Sequence, residues 1–321
     1  MYHSLKEKDV IFTLYILCLD KGSHDYLSNR KTVYPEIVTI SLDEIEAKDS
    51  ELKNCKSNRS IIEYYFTLSP CLPLYVLNEF NLPHICSLDA DIFFIQSPEN
   101  LFNYLDDFSV VITPHKFSEE LQALLIYGCY NVSFQIFKND KTGNECLRRW
   151  REQCIEWCYD STDESGRFAD QKYLDEWPKL YGTRLKALYD NVSGIAPWNL
   201  NNFNITKRKN VFYSNGEKII FYHFHHFKIL SKLFASNGFI SYKVKMQKAV
   251  DQLYLLYWKN LNRYKTAFGK SDLSVRNAMS ENKWDRIFTE NFIYYKVLNL
   301  LLVPFKISRL PAVLKILLRK L

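Results

Sequence analysis

Residues 87–95 read SLDADIFFI and place two carboxylates, Asp89 and Asp91, inside an otherwise apolar run. The wider stretch 85–95 is rich in Ile, Leu and Phe and ends at the turn signal QSP at 96–98. Such a composition is typical of a buried strand. A buried carboxylate without a partner either costs free energy or shifts its pKa, so both side chains need a partner.

A divalent cation is one such partner. Alternation along a strand puts Asp89 and Asp91 on the same side, close enough to share one ion. Mg²⁺ and Mn²⁺ prefer oxygen ligands and often bind beside a substrate diphosphate. The alternative is a strand end whose two Asp side chains cap the next turn or pair with Arg. The bare Asp-x-Asp leaves both interpretations open, and its apolar context favours the metal.

Segments with the composition of strands recur through the first 230 residues. They are residues 10–19, 36–40, 85–95, 108–113, 130–137, 184–188 and 219–224. The helical patterns between them include 57–75, which Pro70 and Pro73 should interrupt, then 74–81 and 141–159. This alternation predicts an α/β fold, an open and mostly parallel sheet with helices on both faces. Ligands of such sheets bind beyond the carboxyl ends of the strands, where Asp89 and Asp91 would lie.

Composition sets wider bounds. The 321 residues are enough for one large domain or two smaller ones, and 47% hydrophobic with 24% charged residues is ordinary for a soluble protein. The formal net charge of +6 is modest, and we expect no nucleic-acid partner. All eight cysteines lie between Cys18 and Cys158 without Cys-x-x-Cys spacing, which favours a reduced, cytosolic compartment. We expect neither a signal peptide nor a membrane-spanning helix.

The last 90 or so residues differ from the rest. Helical patterns at 244–259 and 290–303 predict a helical C-terminal region at 231–321, after a first domain at 1–230. Residues 297–321 are apolar and basic, and no acidic residue follows residue 304. Such a segment binds an anionic membrane surface, which predicts a peripheral location on the inner face of the plasma membrane. The alternative is a terminal helix that packs on its own domain.

Six motifs together resemble those of nucleotide-sugar glycosyltransferases of the GT-A fold, especially bacterial galactosyl- and glucosyltransferases similar to glycosyltransferase family eight. They are YYFTL at 64–68, LDADIFF at 88–94 with SP at 97–98, NVSFQ at 131–135, FADQKYL at 168–174, APWN at 196–199 and YHFHHFK at 222–228. The motifs run in the family's order and cover about residues 4–230. The resemblance implies a Rossmann-like GT-A domain that binds a UDP-sugar.

The resemblance also implies a metal site for Mn²⁺ or Mg²⁺. Asp91 would be the firm ligand, and Asp89 would bridge the metal and the ribose. A histidine in a His-aromatic-x-Gly-x-x-Lys pattern completes the metal shell in the family. His223 fits this pattern best and His225 is its rival, while Lys228 would contact the phosphate.

Further residues match positions that contact the two substrates in the family. Asp170 and Gln171 match a catalytic Asp-Gln pair that faces the donor sugar, although Asp170 could instead cap a helix. The other donor-binding candidates are Ala90, Asn131, Gln135 and Thr67. The acceptor-binding candidates are Trp198 and Asn199, for which a packed loop is the alternative.

The chain departs from the family pattern at several places, including Thr67, where relatives often have Arg. Ser133 and His226 stand where the family has Gly, which bears on close backbone approach. The chain begins within a helix like residues 1–5, without the family's first strand. Either the true start lies upstream, or the nucleotide pocket is incomplete.

The leading hypothesis is a metal-dependent glycosyltransferase that moves a hexose from a UDP-sugar to a saccharide or lipid-linked acceptor in bacterial surface polysaccharide or lipopolysaccharide synthesis, with retention favoured over inversion. A second hypothesis is a non-catalytic GT-A-like protein that binds a glycan or a partner at the membrane. A third is a metal-dependent nucleotidyltransferase or phosphohydrolase, because paired Asp residues also serve phosphoryl transfer. The missing Gly-rich phosphate loop argues against the third. The donor sugar, acceptor and linkage depend on loop shape rather than on motifs.

Overall fold

A computed structural model describes residues 1–229 and 235–265, in which strands and helices alternate. The strands are β1 (Leu14–Cys18), β2 (Ile37–Ser41), β3 (His84–Leu88), β4 (Ile92–Phe94), β5 (Val110–Pro114), β6 (Tyr130–Lys138), β7 (Leu185–Ala187), β8 (Ile205–Arg208), β9 (Val211–Ser214), β10 (Glu217–Lys218), β11 (Phe221–His223), β12 (Lys228–Ile229) and β13 (Ala235–Ser236). The α-helices are α1 (Tyr2–Lys6), α2 (Lys21–Ser28), α3 (Leu42–Lys48), α4 (Ser50–Cys55), α5 (Ile61–Glu79), α6 (Glu99–Phe102), α7 (Lys141–Glu156), α8 (Trp177–Tyr181) and α9 (Lys248–Lys265). Short 3₁₀ helices lie between them, including Glu119–Tyr127 and Lys172–Glu176.

The central sheet has the strand order β3-β6-β5-β7. Strands β5 and β7 are parallel, whereas β6 runs antiparallel to both of its neighbours. The carboxyl ends of β3, β5 and β7 and the amino end of β6 therefore share one edge of the sheet. Strands β1 and β2 form a separate parallel pair. The α/β class predicted from the sequence is confirmed, and β6 makes the central sheet mixed.

The core lies on both faces of this sheet because successive strand side chains point to opposite faces. Val110 and Ile112 of β5 belong to the cluster that includes Trp150 of α7. Val111, between them, belongs to the other cluster, with Phe134 of β6. The continuous apolar run VVI in β5 is thus explained by burial on both sides.

The stretch 85–95 was expected to be one strand, and this prediction is wrong. Strand β3 ends at Leu88 and pairs with β6, while β4 begins at Ile92 and pairs antiparallel with β11. Asp89, Ala90 and Asp91 form the turn between the two strands. The physical reason is that the chain changes its partner strand at this point. A run of apolar residues does not indicate such a change.

The predicted interruption of the helix at Pro70 and Pro73 is also wrong, because α5 continues through both prolines. The helix begins with a capping box in which Ser60 and Glu63 satisfy each other's backbone N–H groups. Each proline removes one backbone hydrogen bond. Both prolines are buried in α5, so apolar packing offsets that loss.

The chain divides into two compact units. The first comprises Met1–Asn202 and Glu217–His223, and the second comprises Phe203–Gly216 and the described residues from 224 onward. The boundary after residue 230 remains a prediction.

The second unit contains the antiparallel hairpin β8–β9, the short pair β12–β13 and helix α9. Helix α9 confirms the predicted helix at 244–259, with later bounds. The predicted helix at 290–303 and the basic tail at 297–321 lie outside the described residues. Within the described ranges, no helix is both long enough and apolar enough to cross a bilayer.

Candidate functional site

The turn after β3 brings two carboxylates to the carboxyl edge of the central sheet. The Asp89 N–H still donates to the Ser133 carbonyl of β6 at 2.9 Å, and the Ile92 N–H donates to the Asp89 carbonyl at 3.3 Å, which closes the turn. The side chains of Asp89 and Asp91 are 42% and 39% exposed. Both carboxylates are therefore accessible to a ligand.

His223 joins these carboxylates because β11 pairs with β4. In this register His223 lies opposite Ile92, the residue directly after Asp91. The His223 Nε2 atom is 2.9 Å from Asp91 Oδ1 and 3.7 Å from Asp89 Oδ2. The His223 N–H donates to the Ile195 carbonyl at 2.8 Å, which fixes the strand, and its imidazole is buried. The fold thus assembles two carboxylates and one imidazole from distant parts of the sequence.

Their pKa values reflect this crowding. Desolvation by the surrounding protein raises the pKa of Asp89, His223 opposes this effect, and the negative charge of Asp91 adds to it. Burial lowers the pKa of His223, but the hydrogen bond to Asp91 and the charges of Asp91 and Asp89 outweigh it and raise the pKa overall. The three groups therefore form one strongly interacting cluster.

Strand β6 carries a large bulge beside this cluster. Ile136 lies opposite Val111 and Asn131 lies opposite Thr113, so residues 132–135 face a single residue of β5. The Thr113 hydroxyl donates to the Phe134 carbonyl inside the bulge at 2.8 Å. A bulge of this kind re-aims side chains and is common beside active sites.

Two buried amides of β6 have unsatisfied polar atoms. Asn131 accepts hydrogen bonds from the N–H and hydroxyl of Ser133 at 3.1 and 2.5 Å, but its Nδ2 has no partner among the described residues. The Gln135 side chain is fully buried. Among the described residues, neither its Nε2 nor its Oε1 has a hydrogen-bond partner. Buried polar atoms without partners are rare and costly. A polar ligand at this edge would satisfy them.

Asp170 is a third buried group with an unsatisfied atom. Its carbonyl accepts from Trp150 Nε1 at 2.8 Å, and Oδ2 has no partner among the described residues. Burial raises the pKa of Asp170 to about 7, while a hydrogen bond from Ser69 opposes the shift. The alternative role as a helix cap is not realised, because the cap residue of the following 3₁₀ helix is Gln171 and no side-chain capping bond is made. Ala169, just before it, has a left-handed φ of 45°.

Gln171 and the acceptor candidates lie nearby in the first unit. Gln171 Nε2 donates to the Tyr127 carbonyl at 2.9 Å. Trp198 is only 5% exposed, and its ring meets that of His223 edge-on at 5.1 Å. The Asn199 side chain is fully buried and bonds to three backbone groups, those of Ala196, His115 and Gly194. These contacts match the packed-loop alternative, and an acceptor role for this pair stays a prediction.

His115, which the sequence reading did not single out, follows the carboxyl end of β5. Its Nδ1 lies 3.0 Å from the Gly128 carbonyl, and its ring stacks on Phe117 at 4.5 Å and contacts Trp198 at 5.3 Å. Burial lowers the pKa of His115 to about 3, and the nearby His223 contributes to this. A histidine directly after a proline at a strand end was the available signal. His115 is a neutral packing partner behind Trp198.

Two of the remaining predicted residues, Thr67 and Ala90, lie in the first unit. The Thr67 hydroxyl is buried and donates to the Glu63 carbonyl of its own helix at 2.9 Å. Ala90 is exposed in the turn between Asp89 and Asp91. His225 and Lys228 belong to the second unit, and their roles stay predictions. His226 has a left-handed φ of 61°, a conformation that favours Gly.

No family model matches the chain. The chain is 29% identical over 267 residues to "Uncharacterized protein YfnD" of Bacillus subtilis (strain 168), covering 82% of this chain and 84% of YfnD. It is 30% identical over 240 residues to "Uncharacterized protein YfnF" of the same organism, covering 72% and 77%. Neither name states an activity.

One solved structure is similar at 8% identity with a TM-score of 0.38. It is a glycosyltransferase involved in the glycosylation of the major capsid of PBCV-1, and the match covers 68% of this chain and 94% of that chain. At this TM-score the likeness carries no argument.

Proposed function

The chain belongs to the family of the Bacillus subtilis proteins YfnD and YfnF, and from its site we propose that it is a metal-dependent glycosyltransferase of the GT-A fold, similar to glycosyltransferase family eight. The observation that carries the proposal is the cluster of Asp89, Asp91 and His223 at the carboxyl edge of the central sheet. The six ordered motifs support the same assignment. The reaction is transfer of a hexose from a UDP-sugar to a saccharide or lipid-linked acceptor in bacterial surface glycan synthesis.

The donor atoms of the cluster fit Mn²⁺ or Mg²⁺. Two half-exposed carboxylates supply hard oxygen ligands, and the imidazole of His223 supplies a nitrogen that Mn²⁺ accepts. When bound, the cation neutralises the charge that develops on the leaving diphosphate. His225 and Lys228 are the further candidates for this site.

The polar atoms without partners in the first unit would hold the donor sugar. The Asn131 Nδ2, the Gln135 amide and the Asp170 Oδ2 can each form hydrogen bonds to sugar hydroxyls, which have both donors and acceptors. A buried polar atom without a hydrogen bond costs free energy, and a ligand that supplies the bond removes this cost. These groups therefore favour a polyhydroxylated ligand over an apolar one. Asp170, whose pKa of about 7 leaves it partly ionised near neutral pH, would stabilise positive charge on the sugar ring during transfer with retention.

Calorimetric titration with UDP, with and without Mn²⁺, tests the proposal. We expect UDP to bind the wild-type protein only when Mn²⁺ is present. Asp91→Asn should weaken this binding by about tenfold or more, because the variant loses one of the two carboxylate ligands of the proposed metal site. Asp43→Asn is the matched control. Asp43 lies in the first turn of α3, outside the proposed site, so this variant should bind UDP as the wild-type protein does.

The outcomes separate the hypotheses. UDP binding that ignores Mn²⁺, or Asp91→Asn with full transfer activity and an intact fold, would contradict the proposal. A folded protein that binds glycans in the presence of a chelator but never UDP would be the non-catalytic binding protein. Release of pyrophosphate from a nucleoside triphosphate would instead indicate nucleotidyl transfer.

A further inference from the structure

Tyr189 is an exposed aromatic residue at the same sheet edge as the candidate site. It follows the carboxyl end of β7, which is parallel to β5, and the Leu188 N–H just before it still donates to the Ile112 carbonyl at 2.9 Å. Its side chain is 65% exposed, more than the other exposed aromatic residues of the described chain, Tyr65, Phe80 and Tyr127. An aromatic face is therefore open to solvent where substrates of α/β sheets bind.

The position of this ring is fixed from two sides. The Tyr189 hydroxyl lies 3.1 Å from the hydroxyl of Tyr130, a buried residue at the start of β6. Directly after Tyr189, the carbonyls of Asp190 and Ser193 each accept a hydrogen bond from the Lys116 ammonium at 2.8 Å. A ring that is already held in place loses little conformational entropy when a ligand stacks on it.

A short segment connects Tyr189 to the proposed donor-sugar residues. Residues 127–131 bind Gln171 through the Tyr127 carbonyl and Tyr189 through the Tyr130 hydroxyl, and they end at Asn131. The Cys129 N–H, midway along the segment, donates to Asp175 at 2.7 Å. Tyr189 and Gln171 thus contact the same short stretch of chain, three residues apart along it.

We propose that Tyr189 is the platform on which a pyranose ring of the acceptor saccharide stacks, next to the donor sugar. This inference rests on the proposed glycosyltransferase function and names the acceptor subsite of that same site. The C–H face of a pyranose packs on an aromatic face, while the hydroxyls at its rim remain free for hydrogen bonds. Trp198, the aromatic residue that the sequence offered for this role, is 5% exposed and has no free face of comparable size.

Saturation-transfer NMR with methyl α- and β-glucopyranosides and galactopyranosides as probes tests the inference. We expect saturation of the ring C–H protons of one pyranose face in the wild-type protein, and the same pattern in Tyr189→Phe, which keeps the aromatic face. Tyr189→Ala should weaken probe binding about tenfold. Phe80→Ala is the matched control, because Phe80 is 40% exposed and lies just before the amino end of β3, at the opposite edge.

Two results would overturn the inference. One is the lack of saturation for all four probes in the wild-type protein, and the other is unchanged binding in Tyr189→Ala. Calorimetry with UDP and Mn²⁺ on the same samples distinguishes the causes. If UDP binding is intact, only the acceptor subsite is wrong; if wild-type UDP binding is missing as well, the proposed function itself fails.

Discussion

The carboxyl edge of the central sheet and the side of α7 that faces α4 differ in whether their buried charged and amide groups are paired. At the edge, Gln135 and Asp170 are buried with polar atoms that have no partner among the described residues. Beside α7, Arg151 binds both carboxylate oxygens of Asp49 at 2.5 and 2.7 Å. This difference separates paired polar groups, which stabilise the fold, from unpaired ones, which we propose bind a ligand.

Two further buried or half-buried groups near α7, Glu46 and Arg59, bind several partners each. Glu46 is buried and accepts from the Lys56 ammonium at 2.6 Å and from the Tyr64 hydroxyl at 2.9 Å. The Arg59 guanidinium donates to the carbonyls of Cys154 and Ile155 in the last turn of α7. These carbonyls have no partner within the helix, and a cation there also interacts favourably with the helix dipole. Polar groups in this region are structural.

The largest expected effect is a loss of stability on the α7 side. In Arg151→Met, the Asp49 carboxylate loses its bidentate partner while it stays largely buried, since both side chains are 16% exposed. Removing one partner of a buried ion pair costs about 3 kcal/mol or more. We expect the free energy of unfolding, measured by urea denaturation, to fall by that amount, with UDP binding by the folded fraction unchanged.

Arg149→Met is the control for this variant. Arg149 pairs with Glu176 at 3.3 Å on the surface, where both side chains are about half exposed. Such pairs contribute at most about 1 kcal/mol. Equal losses in the two variants would show that the Asp49–Arg151 pair is no more structural than a surface pair.

The comparison also shows where sequence reasoning ends. Composition predicted segments that overlap β1–β7 and β11, because burial demands apolar residues whichever strands pair, and it missed the short strands β8, β9, β10 and β12. The turn at Asp89–Asp91 was missed, because it depends on the chain changing its partner strand from β6, which pairs with β3, to β11, which pairs with β4. The bulge at 132–135 depends on register with β5 and leaves no local pattern. The motif resemblance did predict His223 beside Asp91, whereas the burial of Trp198 and the exposure of Tyr189 are tertiary properties.

A smaller effect concerns Asp170 and pH. Its folded-state pKa of about 7 lies above the ordinary value of 3.8, so between these values the folded protein binds more protons than the unfolded chain. The stability contribution of this group is therefore present at low pH and is lost as pH rises toward 7. Relative to Asp170→Asn, the wild-type free energy of unfolding should fall between pH 5 and pH 7, by at most about 1.4 kcal/mol per pH unit.

Urea denaturation of both proteins at pH 5, 6, 7 and 8 measures this difference. Since the other titrating groups are common to the two proteins, their contributions cancel. The difference should level off above pH 7, where Asp170 is ionised in both states. A difference that is constant across the range would mean that Asp170 has an ordinary pKa and a partner in the folded protein.

The smallest expected effect is a gain in stability at the edge itself. Gln135→Met replaces an amide without partners by an unbranched thioether of similar size. Because the amide gives up its hydration on folding and receives no hydrogen bond in return, the variant should unfold with a free energy about 1 kcal/mol higher. Thr113→Val, on β5 opposite the bulge, is the matched control. This variant should lose about 1 kcal/mol because the Phe134 carbonyl in the bulge loses its hydrogen bond from Thr113.

A bound donor should reverse the order of stability of the wild-type protein and Gln135→Met. With UDP-glucose or UDP-galactose and Mn²⁺ in excess, binding to the folded state stabilises the wild-type protein by mass action, and it stabilises Gln135→Met less because one contact to the donor sugar is gone. A buried group that weakens the free protein and strengthens the complex serves the ligand and not the fold. If Gln135→Met instead loses stability as Thr113→Val does, with and without the donor, then Gln135 belongs with Arg151 among the structural groups.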